Sequence, residues 1–245
     1  MDKNRPLPVR ESAPPKPRRV YKAVAVREGG GSFSVLLDGK PALTPLRAPL
    51  ASKSHALAAA VAAEWDAQDP HVDPETMPLT RLLATEIDRV TPLRDAVIAS
   101  LMSYVDTDAL CYRAAHPADL RARQQARWQP VLDWLATAHG IALTAVDGAM
   151  PISQAPAAVA RMREALAALG DARLTAFQAA AALTTSLALS LALVHGHLSA
   201  ADVFGAAFLD ELYQSERWGE DKEAGDRRRR MAADLAAIER YLSLV

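Results

Sequence analysis

The sequence predicts an α+β protein: a small β-rich unit at the N-terminal end, followed by an all-α helical bundle. Three observations point there. Strand-like alternation and turn dipeptides are confined to the first part of the chain. From about residue 78 onward, apolar residues recur at helical spacing almost without a gap. Half of the 245 residues are hydrophobic but only 5% are aromatic, so alanine, leucine and valine carry the burial, a bias that favours helices. The expected division is a proline-rich basic tail over 1–19, a β-rich N-terminal domain with helix over 20–90, and a helical bundle domain over 91–245.

The elements follow in order. Residues 1–19 hold five prolines and a basic excess, with no apolar run after them. They read as a disordered tail, neither a secretory signal nor an amphipathic transit peptide. "RVYKAVAVRE" alternates and breaks at Gly29-Gly30-Gly31, and "SFSVLLDGKPALTP" follows with Asp38-Gly39 as a hairpin turn. Pro41, Pro45 and Pro49 make the second arm an edge, or take it out of the sheet. "SKSHALAAAVAAEWDAQDP" is a helix that stops before Pro70, with Leu57, Val61, Trp65 and Gln68 on one face. Trp65 is expected to anchor that helix.

Beyond residue 78 the periodicity predicts helices over 79–90, 92–105, 118–138, 156–169, 172–195, 199–218 and 227–244. Ser199 can cap the sixth, and Pro92 suits the first turn of the second. "IALTAV" (141–146) reads as a short strand returning to the β element. Leu174 to Val194 carries no charge and has the length of a membrane span. Its threonines, serines, Gln178 and many alanines fit a helix buried by other helices better.

Charge and motifs exclude several functions. A formal charge of −1 gives no overall pull towards nucleic acid or anionic membrane. Cys111, the single cysteine, allows no internal disulfide and reads as a small buried hydrophobe. There is no phosphate-binding loop, no metal-ligand motif and no nucleophile elbow. His195 and His197 flank Gly196 at a helix end, where histidine complements the dipole more readily than it holds a metal. "RRRR" (227–230) follows the acids of 216–226 and reads as a self-paired charge run.

The unusual placements are tryptophans beside glutamine and charge, in "AEWDAQ", "RQQARWQPVLDW" and "DELYQSERWGED". Trp128 and Trp134 fit a core, whereas Trp65 and Trp218 divide between core and partner contact. Wound as a helix, 204–218 puts Phe204, Phe208 and Glu211 on one face, with Gln214 and Trp218 beside them. Glu211 is expected to border an open groove and stay hydrated. Asp210, Glu211, Glu220 and Asp221 admit a second reading, as the acid/base set of a helical enzyme. A third is a peripheral membrane protein using the basic tail and the uncharged helix.

A resemblance rests on seven stretches. "LLDGKPALTP", "AAEWDAQ", "DPETMPLTRL", "YVDTDALCYRA", "WQPVLDW", "SLALSLAL" and "DELYQSERWGED" occur in this order and spacing. Together they resemble the ATP-twelve family, the assembly chaperone for the α subunit of the F-type ATP synthase catalytic head. The likeness runs from about Val20 to the C-terminus, with one departure: Gln129 stands where the family usually carries an acid. The resemblance implies a β-rich unit and a helical unit, no enzymatic activity, no ATP site and no cofactor. It implies the unassembled α subunit as client, and the residues expected to meet it are Asp210, Glu211, Gln214, Trp218, Glu220, Asp221 and Trp65. With no transit peptide in evidence, the bacterial cytoplasm is the expected location.

Overall fold

The structure, a computed structural model, describes residues 16–245. Residues 1–15 of the expected tail lie outside the described residues. Val24–Gly29 (β1) and Ser32–Leu37 (β2) pair antiparallel, from Val24 opposite Leu37 to Gly29 opposite Ser32. Gly30 and Gly31 turn the hairpin with φ of 61° and 77°, values that glycine takes without strain and that suit the strand twist. The second turn is Asp38-Gly39, as the dipeptide predicts, and the Asp38 carboxylate accepts the N–H groups of Lys22 and Ala23 at 3.0 and 2.8 Å. The second arm is only two short pieces, Lys40–Pro41 (β3) and Ala51–Ser52 (β4), both on β2. The prolines leave it no more.

His55–Asp66 (α1) starts at Ser54, whose hydroxyl oxygen accepts the Leu57 N–H, and buries Leu57 and Val61 against the sheet. Gln68 is buried just beyond the helix, where its amide accepts the Asp73 N–H at 2.7 Å. Residues 16–19 belong to the fold, unlike the expected tail boundary. Pro17 O accepts the Val72 N–H at 2.8 Å, and the Arg19 guanidinium donates to the carbonyls of Asp66 and Gln68 at the end of α1. A cation at a helix C-terminus complements the orphan carbonyls there.

The rest is helical: Pro78–Thr85 (α2), Arg94–Met102 (α3), Ala118–His139 (α4), Pro156–Ala168 (α5), Asp171–Thr184 (α6), Leu187–Val194 (α7), Ala200–Ala207 (α8), Leu209–Trp218 (α9) and Lys222–Ser243 (α10). Helix α2 runs on through a π-helical turn, Glu86–Val90. The carboxylate of Glu64 caps its start, accepting the N–H groups of Leu79 and Thr80 at 2.8 Å each and the Thr80 hydroxyl at 2.7 Å. Ser199 caps α8 as expected, its hydroxyl oxygen accepting the Asp202 N–H at 3.1 Å. The expected strand over 141–146 shrinks to Val146–Asp147 (β6). It pairs in parallel with Tyr112–Arg113 (β5), not with the N-terminal sheet.

The uncharged segment is two helices, not one. Thr185 takes a left-handed φ of 52°, and Ser186 caps α7. Asp108, fully buried, holds this break: its carboxylate accepts the Ser186 hydroxyl at 2.8 Å and the N–H groups of Ala188 and Leu110 at 3.0 Å each. Among the described residues no helix is long and apolar enough to cross a membrane. One continuous cluster of buried side chains runs from Val35 to Tyr241, so β2, α1 and α2 share a core with α6, α7 and α10. Burial pushes the Cys111 thiol up to about 12, in keeping with a side chain that serves as packing.

The two histidines at the α7 end enter an aromatic cluster. His197 stacks on Trp134 at 4.4 Å, and His139 lies 4.7 Å from His195. Burial lowers the pKa of both His139 and His195, the latter also through the charges of His139 and Arg173. A lowered folded-state pKa means that folding favours the neutral ring. This contribution is fully present above the unfolded value of about 6.5 and is lost as pH falls through the folded value. Melting temperatures measured between pH 7.5 and 5 are expected to fall. His195→Gln should flatten the fall, and an unchanged slope in that variant would count against the account.

Candidate functional site

The acid-rich stretch singled out in the sequence forms a corner between α9 and α10. Phe208 ends α8 with its backbone out of helical geometry, so the expected single helix over 199–218 bends there. Gly219, at a φ of 88°, ends α9, and Asp221 caps α10 by accepting the Ala224 N–H at 2.9 Å. The last helix therefore begins at Lys222 and not at 227, one turn and more earlier than the apolar pattern shows. Gly225 lies inside that first part of α10. A Cβ there would stand 2.7 Å from a Glu220 oxygen, so the glycine lets Glu220 fold back over the helix.

That early start brings the arginine run alongside α9. Arg227 donates to both oxygens of Glu211 at 2.7 Å. Arg228, buried, donates to Glu220 at 2.8 Å and Ser215 Oγ at 2.9 Å, with Glu211 3.7 Å away. Arg229 pairs with Asp226. The basic run is thus self-paired, as its neighbourhood predicts. Glu211 is not the hydrated acid expected of an open groove: it is half-buried, and one guanidinium nitrogen of Arg227 reaches both of its oxygens. The remaining acids are occupied too. Asp210 accepts from the Gln124 amide at 2.7 Å, Glu216 pairs with Arg123 at 2.6 Å, and Asp119 of α4 takes the Tyr213 hydroxyl at 2.9 Å and Arg217. The Tyr213 hydroxyl first, and the Arg217 guanidinium with it, hold the Asp119 carboxyl below its ordinary value.

Gln214 and Trp218 remain. One turn apart on α9, they share its outer side, and both are exposed, Trp218 by 77%. An indole left in water at the end of a helix whose charges are all engaged is unusual, since tryptophan is mostly buried in folded chains. Trp128, by contrast, is the core residue expected: 4% exposed, with its indole N–H donated to Ala206 O at 2.9 Å.

Trp65 does not join this corner. It sits with Tyr21, ring centroids 5.8 Å apart, on the wall of an apolar cleft of about 680 Å³. Leu43, Leu46, Val72 and Met77 line the same cleft. Trp65 is half-buried rather than sealed in the core, and its indole N–H has no partner among the described residues. Sequence reasoning missed the cleft because its walls come from the β3–β4 arm, the loop after α1 and α2. The arginine partner of Glu211 was missed for the same reason. Glu211 and Arg227 are 16 positions apart, outside any helical repeat.

The comparisons with known proteins bear on this geometry. The family model described as ATP12 chaperone protein matches residues 18–136. The structure of Atp12 from Paracoccus denitrificans superposes with a TM-score of 0.87 at 37% identity, over 93% of this chain and 98% of that one. The Atu1473 protein of Agrobacterium tumefaciens gives 0.88 at 39% identity, over 93% of this chain and 86% of that one. Protein atp12, mitochondrial, of Schizosaccharomyces pombe is 25% identical over 225 residues, 86% of this chain and 76% of that protein. These likenesses define a chaperone fold of small sheet and helical bundle. The chain belongs to the ATP12 chaperone protein family.

Proposed function

We propose that the chain is a non-enzymatic assembly chaperone of the F-type ATP synthase, acting in the bacterial cytoplasm. It binds the unassembled α subunit of the catalytic head and covers its β-facing surface until the ring closes. Contacts in such an obligate ring bury roughly 2,000–5,000 Å², much of it apolar, and surfaces of that kind aggregate while they wait for a partner. A holder must yield to the true neighbour, so a compact anchor in a polar rim serves better than a wide apolar face. The observation that carries the reading is Trp218, exposed beside Gln214 on a corner where arginines hold Glu211 and Glu220. Glu220 and Asp221 flank the ring as rim, Asp210 and Glu211 hold the corner's shape, and Trp65 offers a second apolar contact in its cleft. No cofactor is called for. As an acid/base set, Asp210, Glu211, Glu220 and Asp221 are poorly placed, since each already accepts a hydrogen bond from within the protein.

Co-expression with the ATP synthase α and β subunits, followed by pull-down, tests the reading. Free α should be captured and the assembled hexamer should not; recovery of neither, with α soluble, would overturn it. Trp218→Ala should fold with unchanged melting and lose about thirtyfold in affinity, the effect of one hot-spot aromatic at ~2 kcal/mol. Glu211→Lys should do more than spoil recognition, because it sets a third cation against Arg227 and Arg228. About 1–2 kcal/mol of stability should go with it, screened by the half-exposed setting. Cosedimentation with anionic vesicles at low salt separates the membrane reading, under which the protein would pellet.

A further inference from the structure

Arg113 is a buried cation without a carboxylate. It lies on β5 with 5% exposure, and its guanidinium faces a cavity of about 250 Å³ between the β5–β6 pair and α4. The group has five N–H donors in a fixed plane and keeps its charge at any pH a protein survives. Two donors are used, both on neutral amides: one nitrogen donates to Gln125 Oε1, and another to Gln129 Oε1 at 2.9 Å. Its Nε–H is shielded from solvent and has no partner among the described residues. The nearest carboxylates are committed elsewhere. Asp147 takes two N–H groups of Arg121 at 3.1 and 2.6 Å, and Asp133 takes the Gln129 amide at 2.7 Å.

Buried Arg228 shows the usual resolution, with Glu220 at 2.8 Å. An ion taken out of water without a counter-ion costs several kcal/mol, and Arg113 has only amide dipoles against that cost. The cavity beside it has room for several waters at ~30 Å³ each, so a group of a few heavy atoms fits. Its rim carries a second guanidinium, Arg121, and the exposed amide of Gln125. Of the charges that line it, Arg121 and Asp147 cancel and Arg113 remains.

We propose that this cavity is a binding site for a small oxyanion, a carboxylate or phosphate group that takes the remaining N–H donors of Arg113. Two oxygens of such a group match the spacing of adjacent guanidinium N–H groups. The Gln125 amide at the rim supplies a further donor. The anion can be a free ion or an acidic side chain presented by a bound protein; the chemistry at Arg113 is the same.

Thermal melts of the full chain in phosphate, acetate and chloride at equal ionic strength test the site. Phosphate or acetate should raise the melting temperature saturably, on top of the shallow, non-saturating rise that excluded salts give any protein. Gln129→Glu and Gln125→Glu each put a carboxylate onto Arg113 from within. Either should raise melting in chloride and abolish the saturable part. Two variants are needed because Gln129→Glu also faces Asp133, whereas Gln125 does not share that neighbour. A wild-type response that never saturates, or one that survives in both variants, would overturn the proposal. Phosphate titrated into the α-subunit pull-down separates the sources: capture that weakens in wild type but not in Gln125→Glu assigns the carboxylate to the client. Capture that holds while the saturable melt persists assigns a free ion.

Discussion

Asp108→Ala is expected to lower stability by about 3–5 kcal/mol. The carboxylate is fully buried and answers three donors: the Ser186 hydroxyl and the N–H groups of Leu110 and Ala188. Alanine strands all three, and a buried unmet donor costs ~1–3 kcal/mol. The position also matters electrostatically, because Ala188 lies in the first turn of α7, where a negative group meets the helix dipole. Burial raises the Asp108 pKa while the three donors pull it back, so removing the charge recovers part of its desolvation cost. That is why the loss stays below the sum of three stranded donors. Asp108→Asn keeps one acceptor and should lose about half as much. Denaturant titration of both variants decides it, and a loss under ~1 kcal/mol for alanine would show that Asp108 does not hold the α6–α7 break.

Trp128→Ala is the second large effect, at about 3–5 kcal/mol for a buried aromatic truncated in a core. Its ring fills the space between α4 and α8, and its N–H satisfies Ala206 O, whose own helix ends one residue later. Trp128→Phe should keep most of the packing and lose only the hydrogen bond, ~1 kcal/mol. A denaturation midpoint for the phenylalanine variant as low as that for alanine would place the weight on the bond instead of the ring. Either result matters for the proposed client surface, because α8 leads through Phe208 into α9, and a slack α8 misplaces Trp218.

Local chemistry made part of this legible. Asp38-Gly39, Ser199 and the prolines of the β3–β4 arm decide their own neighbourhoods within a few residues, and the sequence reads them correctly. The helix break at Thr185 is different. Nothing within ten positions forbids a continuous helix there; the partner that makes the break favourable is Asp108, 78 positions from the Ser186 it holds. The start of α10 was hidden because "KEAGD" offers no apolar stripe, and its stability comes from the Asp221 cap and from Glu220 folding onto Arg228. For the candidate surface, the sequence singled out the residues of the α9–α10 corner but not the contacts they make there. Glu211 reads as a free acid until Arg227 is seen beside it, whereas Trp218 is exposed by geometry that no periodicity encodes. Several of the seven stretches behind the family likeness meet as pairs of buried polar contacts. Glu64 caps the α2 of "DPETMPLTRL", Asp108 grips "SLALSLAL", and Gln124, just before "WQPVLDW", links Ala114 to Asp210.

The stitching of α10 onto the N-terminal unit has a consequence for how the molecule is made. Arg81 pairs with Asp234, Glu86 accepts from Tyr241, and the Ser54 hydroxyl donates to Leu244 O, closures of 153, 155 and 190 positions. Ribosomes add about 5–20 residues per second, so α1 and α2 wait for seconds, with their inner faces uncovered, before α10 leaves the tunnel. Early closure is impossible, and the loop entropy falls due only at the end. A chain stalled or nicked before α10 would present the apolar faces of α2 and α6 to its surroundings. A chaperone of this family is, during its own synthesis, an uncovered surface that needs a chaperone.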